Sequence, residues 1–315
     1  MIAISVMITG GTGFIGSYVA RKLVELNYEV VLVDISPRFD LIKDIIKKVK
    51  VVRCDISDII DLLTNVKKYN VEYIIHLAYL HLVESQEKPW KALKVNCGGL
   101  INVFEAAKNM DVKRVVYVNS IAAYGTAEYY GEKPINEDTP LRPTTVYGAC
   151  RAFDTFMGQY YYDKYGLDVV GVRPGGIVYG LGMVVHSWFR DLIEKSFRGE
   201  PVKVPYSDQK VDWQYVKDTA NALILALDAK NLKHRIFNTC GEVRTVREAV
   251  KCVKQLIPGA IIEVDKNKKI EPYFPYLFDI TRAREELGFE PQYTLEQGIK
   301  DYIDMLRERK GEISV

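Results

Sequence analysis

Short apolar runs rich in Val and Ile recur along this chain and alternate with stretches whose apolar residues fall at helical spacing. The runs Ile2–Ile8, Val30–Val33, Val49–Arg53, Tyr73–Leu77, Arg114–Asn119, Asp168–Arg173 and Arg235–Asn238 predict strands. The periodic stretches Phe14–Leu26, Val95–Asn109 and Tyr147–Tyr165 predict helices between them. Strands apolar on both faces, alternating with crossover helices, predict an α/β fold on a doubly wound parallel sheet. After Pro174 the alternation weakens, and loops marked by Gly and Pro appear at Gly175–Gly182, Gly199–Pro205 and Glu271–Pro275. The expected organisation is a sheet domain over 1–173 plus about 211–241, with a smaller C-terminal lobe from 174–210 and 242–315. Such a lobe would sit at the carboxyl edge of the strands, where open α/β sheets bind ligands.

Composition narrows the function classes. A chain of 315 residues exceeds one typical domain, and 48% apolar with 27% charged residues suits a soluble globular enzyme. A net charge of +2 points to neither a nucleic-acid nor a membrane partner. The five cysteines (Cys54, Cys97, Cys150, Cys240, Cys252) are widely spaced without a CxxC, which fits a reducing cytoplasm. No apolar run approaches the roughly 20 residues that span a bilayer, and the first residues read as strand rather than leader. The four histidines (His76, His81, His186, His234) lack metal-ligand spacing, so no metal site is expected.

The first chemistry-bearing feature is the turn Thr9-Gly10-Gly11-Thr12-Gly13-Phe14-Ile15-Gly16, between the first strand and the first helix. Gly10 permits the sharp turn, Gly13 lets backbone approach a pyrophosphate, and Gly16 lets helix and strand pack closely. The helix N-terminus adds unpaired N–H groups and a partial positive charge. The second strand ends at Asp34, 18 residues past Gly16. A carboxylate there accepts hydrogen bonds from ribose hydroxyls and repels a 2′-phosphate, favouring NAD over NADP. Arg38 nearby is the residue that would meet a 2′-phosphate instead. Together these features predict a Rossmann-type dinucleotide-binding domain.

With the glycine turn placed, the chain resembles the extended short-chain dehydrogenase/reductase family, the group of NAD-dependent epimerases and dehydratases. The resemblance runs in order through Cys54-Asp55-Ile56-Ser57-Asp58, His76-Leu77-Ala78, Val95-Asn96, Asn119-Ser120-Ile121-Ala122-Ala123-Tyr124-Gly125, Arg173-Pro174, Tyr215-Val216-Lys217-Asp218 and Leu287-Gly288-Phe289-Glu290-Pro291. It implies that NAD is contacted by Gly10, Gly13, Phe14, Ile15, Gly16, Asp34, Asp55, Ile56, Leu77, Ala78, Asn96, Tyr147, Arg151 and Pro174. It also implies a catalytic Ser120.

Oxidising a secondary alcohol needs a base for the hydroxyl proton. A tyrosine serves poorly at neutral pH until a nearby cation stabilises its phenolate. The family uses Tyr-x-x-x-Lys on a helix, where positions i and i+4 share a face. The matching segment here is Tyr147-Gly148-Ala149-Cys150-Arg151, with arginine in place of lysine. Two other matches, Tyr129…Lys133 in a Gly/Pro-marked loop and Tyr160…Lys164 about 20 Å along the helix, are read as chance. Arg151 is expected to bond the nicotinamide ribose and stabilise the Tyr147 phenolate, with altered proton relay. The competing reading is a protein that only binds cofactor.

Family dehydratases carry acidic residues just after the catalytic Ser/Thr; here those positions are Ile121 and Ala122, which disfavours elimination. The resemblance favours a nucleotide-sugar epimerase. Gly176 and Val211, however, stand where such epimerases place the Asn and Arg that hold the diphosphate. That favours the alternative, a net dehydrogenase of a small hydroxy compound; Lys203, Lys210 and Arg282 are the cations left to bind a diphosphate. Tyr79, Ser120, Gly176, His186 and Trp188 are the candidate substrate contacts. The helices Val95–Asn109 and Tyr147–Tyr165 correspond to those that form a dimer interface in the family, so a homodimer is expected, with Tyr160, Tyr161 and Tyr162 on it.

Overall fold

The computed structural model describes residues 4–205, 208–265, 267–269 and 271–313. Its main layer is a seven-stranded, wholly parallel sheet. The strands are β1 (Ser5–Thr9), β2 (Glu29–Asp34), β3 (Val49–Arg53), β4 (Tyr73–His76), β5 (Arg114–Val118), β6 (Val169–Arg173) and, far along the chain, β10 (Ile236–Asn238). Their spatial order, β10-β6-β5-β4-β1-β2-β3, reverses between β1 and β4, and that reversal opens the crevice where ligands bind. The seven strands expected from apolar runs are all present; the expected start of the first, at Ile2, lies outside the described residues.

Helices cover both faces because the central strands are apolar on both. One face carries α1 (Phe14–Glu25) and α8 (Val216–Asp228), which bury Val19, Leu23 and Leu223 against Val6 and Ile8 of β1. The other carries α2 (Ile59–Lys68), α5 (Gly99–Asn109) and α6 (Val146–Tyr165), which bury Leu62, Phe104 and Tyr161 against Met7, Ile74 and Tyr117. Short helices α3 (Leu82–Glu87) and α4 (Pro89–Ala92) lead into one wide π turn, Leu93–Gly98, so the helix expected from Val95 becomes regular only at Gly99.

The smaller lobe contains β7 (Ile177–Tyr179), α7 (Ser187–Arg198), β8 (Val202–Pro205), β9 (Lys210–Tyr215), β11 (Glu242–Thr245), α9 (Val246–Leu256), β12 (Ile262–Asp265), α10 (Thr281–Leu287) and α11 (Leu295–Ile313). β9 is central in a three-stranded sheet, parallel to β7 and antiparallel to β11, while β8 pairs with β12. Residues 211–215, grouped by the sequence reading with the large sheet, therefore lie in this small sheet, and the chain returns to the large layer only with α8. The lobe has no separate core: Tyr179, Phe189, Trp213 and Tyr215 continue the apolar layer that contains α1. This continuity fixes the lobe over the carboxyl ends of the large sheet.

Candidate active site

Those strand ends open into a cavity of about 420 Å³, within the range of small-molecule sites. Gly10, Gly13, Phe14, Ile15 and Gly16 line one end. Gly10 has φ +64°, a left-handed conformation, and a Cβ there would meet the backbone N of Ala78 at 2.9 Å. A Cβ at Gly16 would meet the Gly10 carbonyl at 2.4 Å, so helix and turn pack without room for a side chain. Gly13 caps α1, no side chain bonds its first N–H groups, and no acidic residue stands in its first turn. This glycine cradle and its bare helix N-terminus fit the pyrophosphate of a dinucleotide.

Asp34 lies at the end of β2 on the cavity wall. Its Oδ2 accepts from Thr12 Oγ1 at 2.8 Å and its Oδ1 from the Ser36 N–H at 3.1 Å, which holds the carboxylate in place. Asp55 and Ile56 line the same end, and Asp55 Oδ1 accepts from both N and Oγ of Ser57. Leu77 and Ala78 form the wall after β4, held by N–H bonds of 3.2 and 3.3 Å to Thr9 Oγ1. Thr9 Oγ1 also meets His76 Nδ1 at 2.7 Å, and burial brings this histidine down to about 3, so it is a neutral structural partner. Pro174 lies on the wall after β6.

Asn96 does not reach the cavity. Its Oδ1 accepts from the Leu80 N–H at 2.7 Å and its Nδ2 donates to the Leu80 carbonyl at 3.2 Å. Buried in the π turn, it holds the loop after β4 and so shapes the wall from behind.

Ser120 and Tyr147 both line the cavity, on the elements the sequence placed them on. Ser120 ends the loop after β5, and its Oγ accepts from the Ala122 N–H at 3.2 Å, leaving its own proton free to donate. Tyr147 begins α6, where Thr145 caps the helix by accepting from the Gly148 N–H at 3.0 Å. A Cβ at Gly148 would lie 2.3 Å from the Ala122 carbonyl, so only glycine lets α6 come this close to the Ser120 turn. Beneath α6, Asn119 Nδ2 donates to the Arg151 carbonyl at 2.8 Å and Arg173 Nη2 to Thr155 Oγ1 at 3.0 Å. Sequence reasoning passed over this clamp, and no residue spacing marks it.

Arg151 departs from expectation. Its side chain is 2% exposed and off the cavity wall, held internally through Nη1, while Nε and Nη2 have no hydrogen-bond partner among the described residues. Nη1 donates to Asp154 Oδ2 at 2.8 Å and to the Val118 carbonyl at 3.3 Å. The guanidinium lies over two tyrosine rings, 4.3 Å from the centre of Tyr79 and 4.9 Å from that of Tyr147. The planar fork explains the change: it reaches a carboxylate one turn further along α6 while stacking on both rings. Tyr129 and Tyr160 lie outside the cavity wall.

The lobe end of the cavity is formed by Gly175, Gly176, Val178, Met183–His186 and Phe274, facing Tyr79, Leu80 and His81. His186 precedes α7 with φ +53°, a left-handed strain that a non-glycine residue adopts only when its surroundings impose it. Burial brings His81 and His186 down to about 4, so both imidazoles are neutral at pH 7. Trp188 is not on the wall; it packs on Phe189 and Trp213, with ring centres 5.5 and 6.0 Å apart, because its helix turns it into the core. A Cβ at Gly176 would meet the Asp212 carbonyl at 2.5 Å, and Val211 is buried. Lys203, Lys210 and Arg282 pair with Glu263, Glu132 and Asp138 respectively, all away from the cavity.

A glycine-turn cradle, an acidic residue at the end of β2, and a Ser/Tyr pair facing it across one crevice define a dinucleotide-dependent oxidoreductase. The chain belongs to the NAD-dependent epimerase/dehydratase family, whose model matches residues 6–240. NAD is its cofactor. A putative UDP-glucose 4-epimerase of Methanocaldococcus jannaschii is 31% identical over 96% of this chain and 98% of its own. The UDP-glucose 4-epimerase of Thermotoga maritima, solved with UDP-glucose, superposes with a TM-score of 0.88 at 26% identity, covering 98% of this chain and 100% of that one. The L-threonine dehydrogenase of Clostridium difficile gives 0.83 at 28% identity, with 98% of each chain covered.

Proposed function

We propose that this protein oxidises a secondary alcohol of a sugar-like substrate in the manner of a nucleotide-sugar epimerase, with Tyr147 as the acid–base group. The observation that carries this reading is the meeting of Tyr147 and Ser120 on one cavity wall, with the Arg151 cation against the Tyr147 ring. Bound NAD supplies the hydride acceptor. The Tyr147 oxygen takes the hydroxyl proton, and Ser120 Oγ donates a hydrogen bond to the same substrate oxygen as it becomes a carbonyl. Arg151 holds positive charge beside the phenolate that this chemistry needs, in place of the ammonium usual at that position. Gly10, Gly13, Phe14, Ile15, Gly16, Asp34, Asp55, Ile56, Leu77, Ala78 and Pro174 hold the cofactor. Tyr79, Gly176 and His186 face the substrate.

A second reading, net dehydrogenation of a small hydroxy compound, is favoured by one feature. Among the described residues, no Lys or Arg of the lobe lines the cavity. Incubation with a panel of nucleotide sugars and small hydroxy compounds, with and without added NAD, separates the readings. Epimerisation without added NAD and without net NADH is the expected result; stoichiometric NADH would replace it with the dehydrogenase reading. A protein that binds NAD but does neither would be a sensor.

The assembly we propose is a homodimer built on α5 and α6. Phe156 and Tyr160 stack on the outer face of α6 with 66% and 40% exposure, and Trp90 of α4 and Leu93 of the π turn, elements that pack on α6, are exposed too. Tyr161 is buried against Phe104 and bonded to Glu105, and Tyr162 is covered by Arg235, so Tyr160 and Phe156 would carry the contact. All five cysteines are free, which supports a reducing, cytoplasmic setting. No helix among the described residues is long and apolar enough to cross a membrane.

A further inference from the structure

Along the inner face of α6, Tyr147, Arg151 and Asp154 follow one another at i, i+4 and i+7. Asp154 has a fully buried side chain, and among the described residues its only hydrogen-bonding partner is Arg151, through Oδ2. A carboxylate taken this far from water needs a strong reason to persist, since an apolar residue of similar size would cost the fold less. Its position supplies one. The guanidinium it grips lies against both the Tyr79 and Tyr147 rings, whose centres are 5.9 Å apart. Rotating away from Asp154 would take the cation off both.

We infer that Asp154 is a positioning residue: it fixes the Arg151 guanidinium against the Tyr147 ring and sets how much of its positive charge reaches the tyrosine oxygen. The inference rests on the proposed role of Tyr147 as the acid–base group. Arginine alone would be the wrong substitute for an ammonium here, because its charge is permanent and its fork is wide. With Asp154 behind it, the pair presents a cation whose field is partly cancelled, and the partner one helical turn away keeps the fork in register.

Other titratable groups surround the pair. His76 follows from β4, Tyr79 and His81 from the loop after it, and Tyr117 from β5; burial disfavours the charged form of each. Cys97 of the π turn and Cys150 of α6 lie within electrostatic reach of Asp154, and Arg173 of β6 acts on Tyr117. Asp154 is the acidic group that contacts Arg151 directly. Burial pushes its carboxyl up to about 7 against the pull of Arg151, so its charge is open to change near neutrality.

The test is an ultraviolet difference titration with saturating NAD as the probe. Subtracting Tyr147→Phe from the protein that keeps Tyr147 isolates the phenolate signal of that one residue. Done in the native background and in Asp154→Asn, whose amide oxygen can still accept from Arg151 and keep the fork in place, it should show the midpoint falling by about one pH unit in the amide variant, because the cation is held but no longer offset. Asp154→Glu, which keeps the charge, should shift it less. A midpoint that stays in place or rises in Asp154→Asn would overturn the inference, since loss of packing alone lowers thermal stability without moving this titration. Asp154→Ser removes charge and grip together, so the guanidinium is released from the Tyr147 ring and the midpoint should rise; a fall equal to that of the amide variant would overturn the positioning role. Turnover of Tyr147→Phe tests the parent reading separately: retained turnover would sink that reading whatever the titration shows.

Discussion

At the scale of single residues, the site depends on a few buried charges. Tyr147→Phe should lower turnover by about 10²–10⁴-fold while NAD still binds, measured by steady-state kinetics and calorimetry. Arg151→Lys should also lower it, because an ammonium cannot grip Asp154 and stack on two rings at once; a faster variant would contradict the assigned role. Asp212 offers a pH test away from the chemistry. It lies behind Gly175 and Gly176, fully buried, and burial pushes its carboxyl up to about 7 despite the amides of Gly241 and Gly176. The folded protein thus holds this proton more tightly than the unfolded chain, where an aspartate titrates near 3.9. Its contribution to stability is fully present below about pH 4 and is lost as pH rises through about 7. Asp212→Asn keeps an acceptor for the Gly241 N–H, 2.7 Å away in the native protein, but removes the titration. Denaturant unfolding at pH 5 and pH 8 should show a flatter dependence in the variant, by an amount on the order of a few kcal/mol; parallel curves would refute the assignment.

At the scale of elements, two close approaches decide the geometry. The Gly10 turn brings β1 and α1 against Ala78. The Gly148 contact brings α6 against the loop that carries Ser120. Gly148→Ala should push the two apart and lower turnover by about 10-fold or more, with NAD affinity little changed, since small misplacements of reacting groups are costly. A loss of NAD binding equal to the loss of rate would show that the contact supports the whole domain instead. The two contacts differ in how far they could be read beforehand. Gly10, Gly13 and Gly16 sit in a short motif with a known mechanical reason, so strand, turn and helix were visible together. Gly148 meets a residue 26 positions earlier in the chain, and nothing local announces it. Asn96 and Trp188 show the same limit. Both were expected at the cavity, Asn96 at the start of a helix and Trp188 on no assigned element, when contacts with Leu80 and with Phe189 and Trp213 hold them off its wall. The Arg151–Asp154 pair was legible, since charges three apart on a helix are neighbours; the motif around Tyr147 drew attention only to the missing lysine.

At the scale of the whole molecule, one apolar layer runs from α1 into the lobe, so cofactor and substrate walls share a rigid base. The central strands of the large sheet were readable because both faces are buried and their sequences stay largely apolar. The lobe was not, since β9 looks like a further sheet strand until its partners β7 and β11 are known. The outer face of α6 carries the remaining prediction: Phe156→Glu with Tyr160→Glu should convert the proposed dimer to monomer in light scattering, and an unchanged mass would move the interface elsewhere. The central claim is that Tyr147 takes the proton of a secondary alcohol, with the hydride acceptor being what bound NAD would supply. Rapid mixing of the NAD-loaded protein with the panel of nucleotide sugars and small hydroxy compounds, followed by nicotinamide absorbance, tests it most directly. The account predicts transient or lasting NADH for at least one compound with the native protein and about 100-fold slower formation with Tyr147→Phe. Equal rates in the two proteins, or no NADH from any compound, would contradict it.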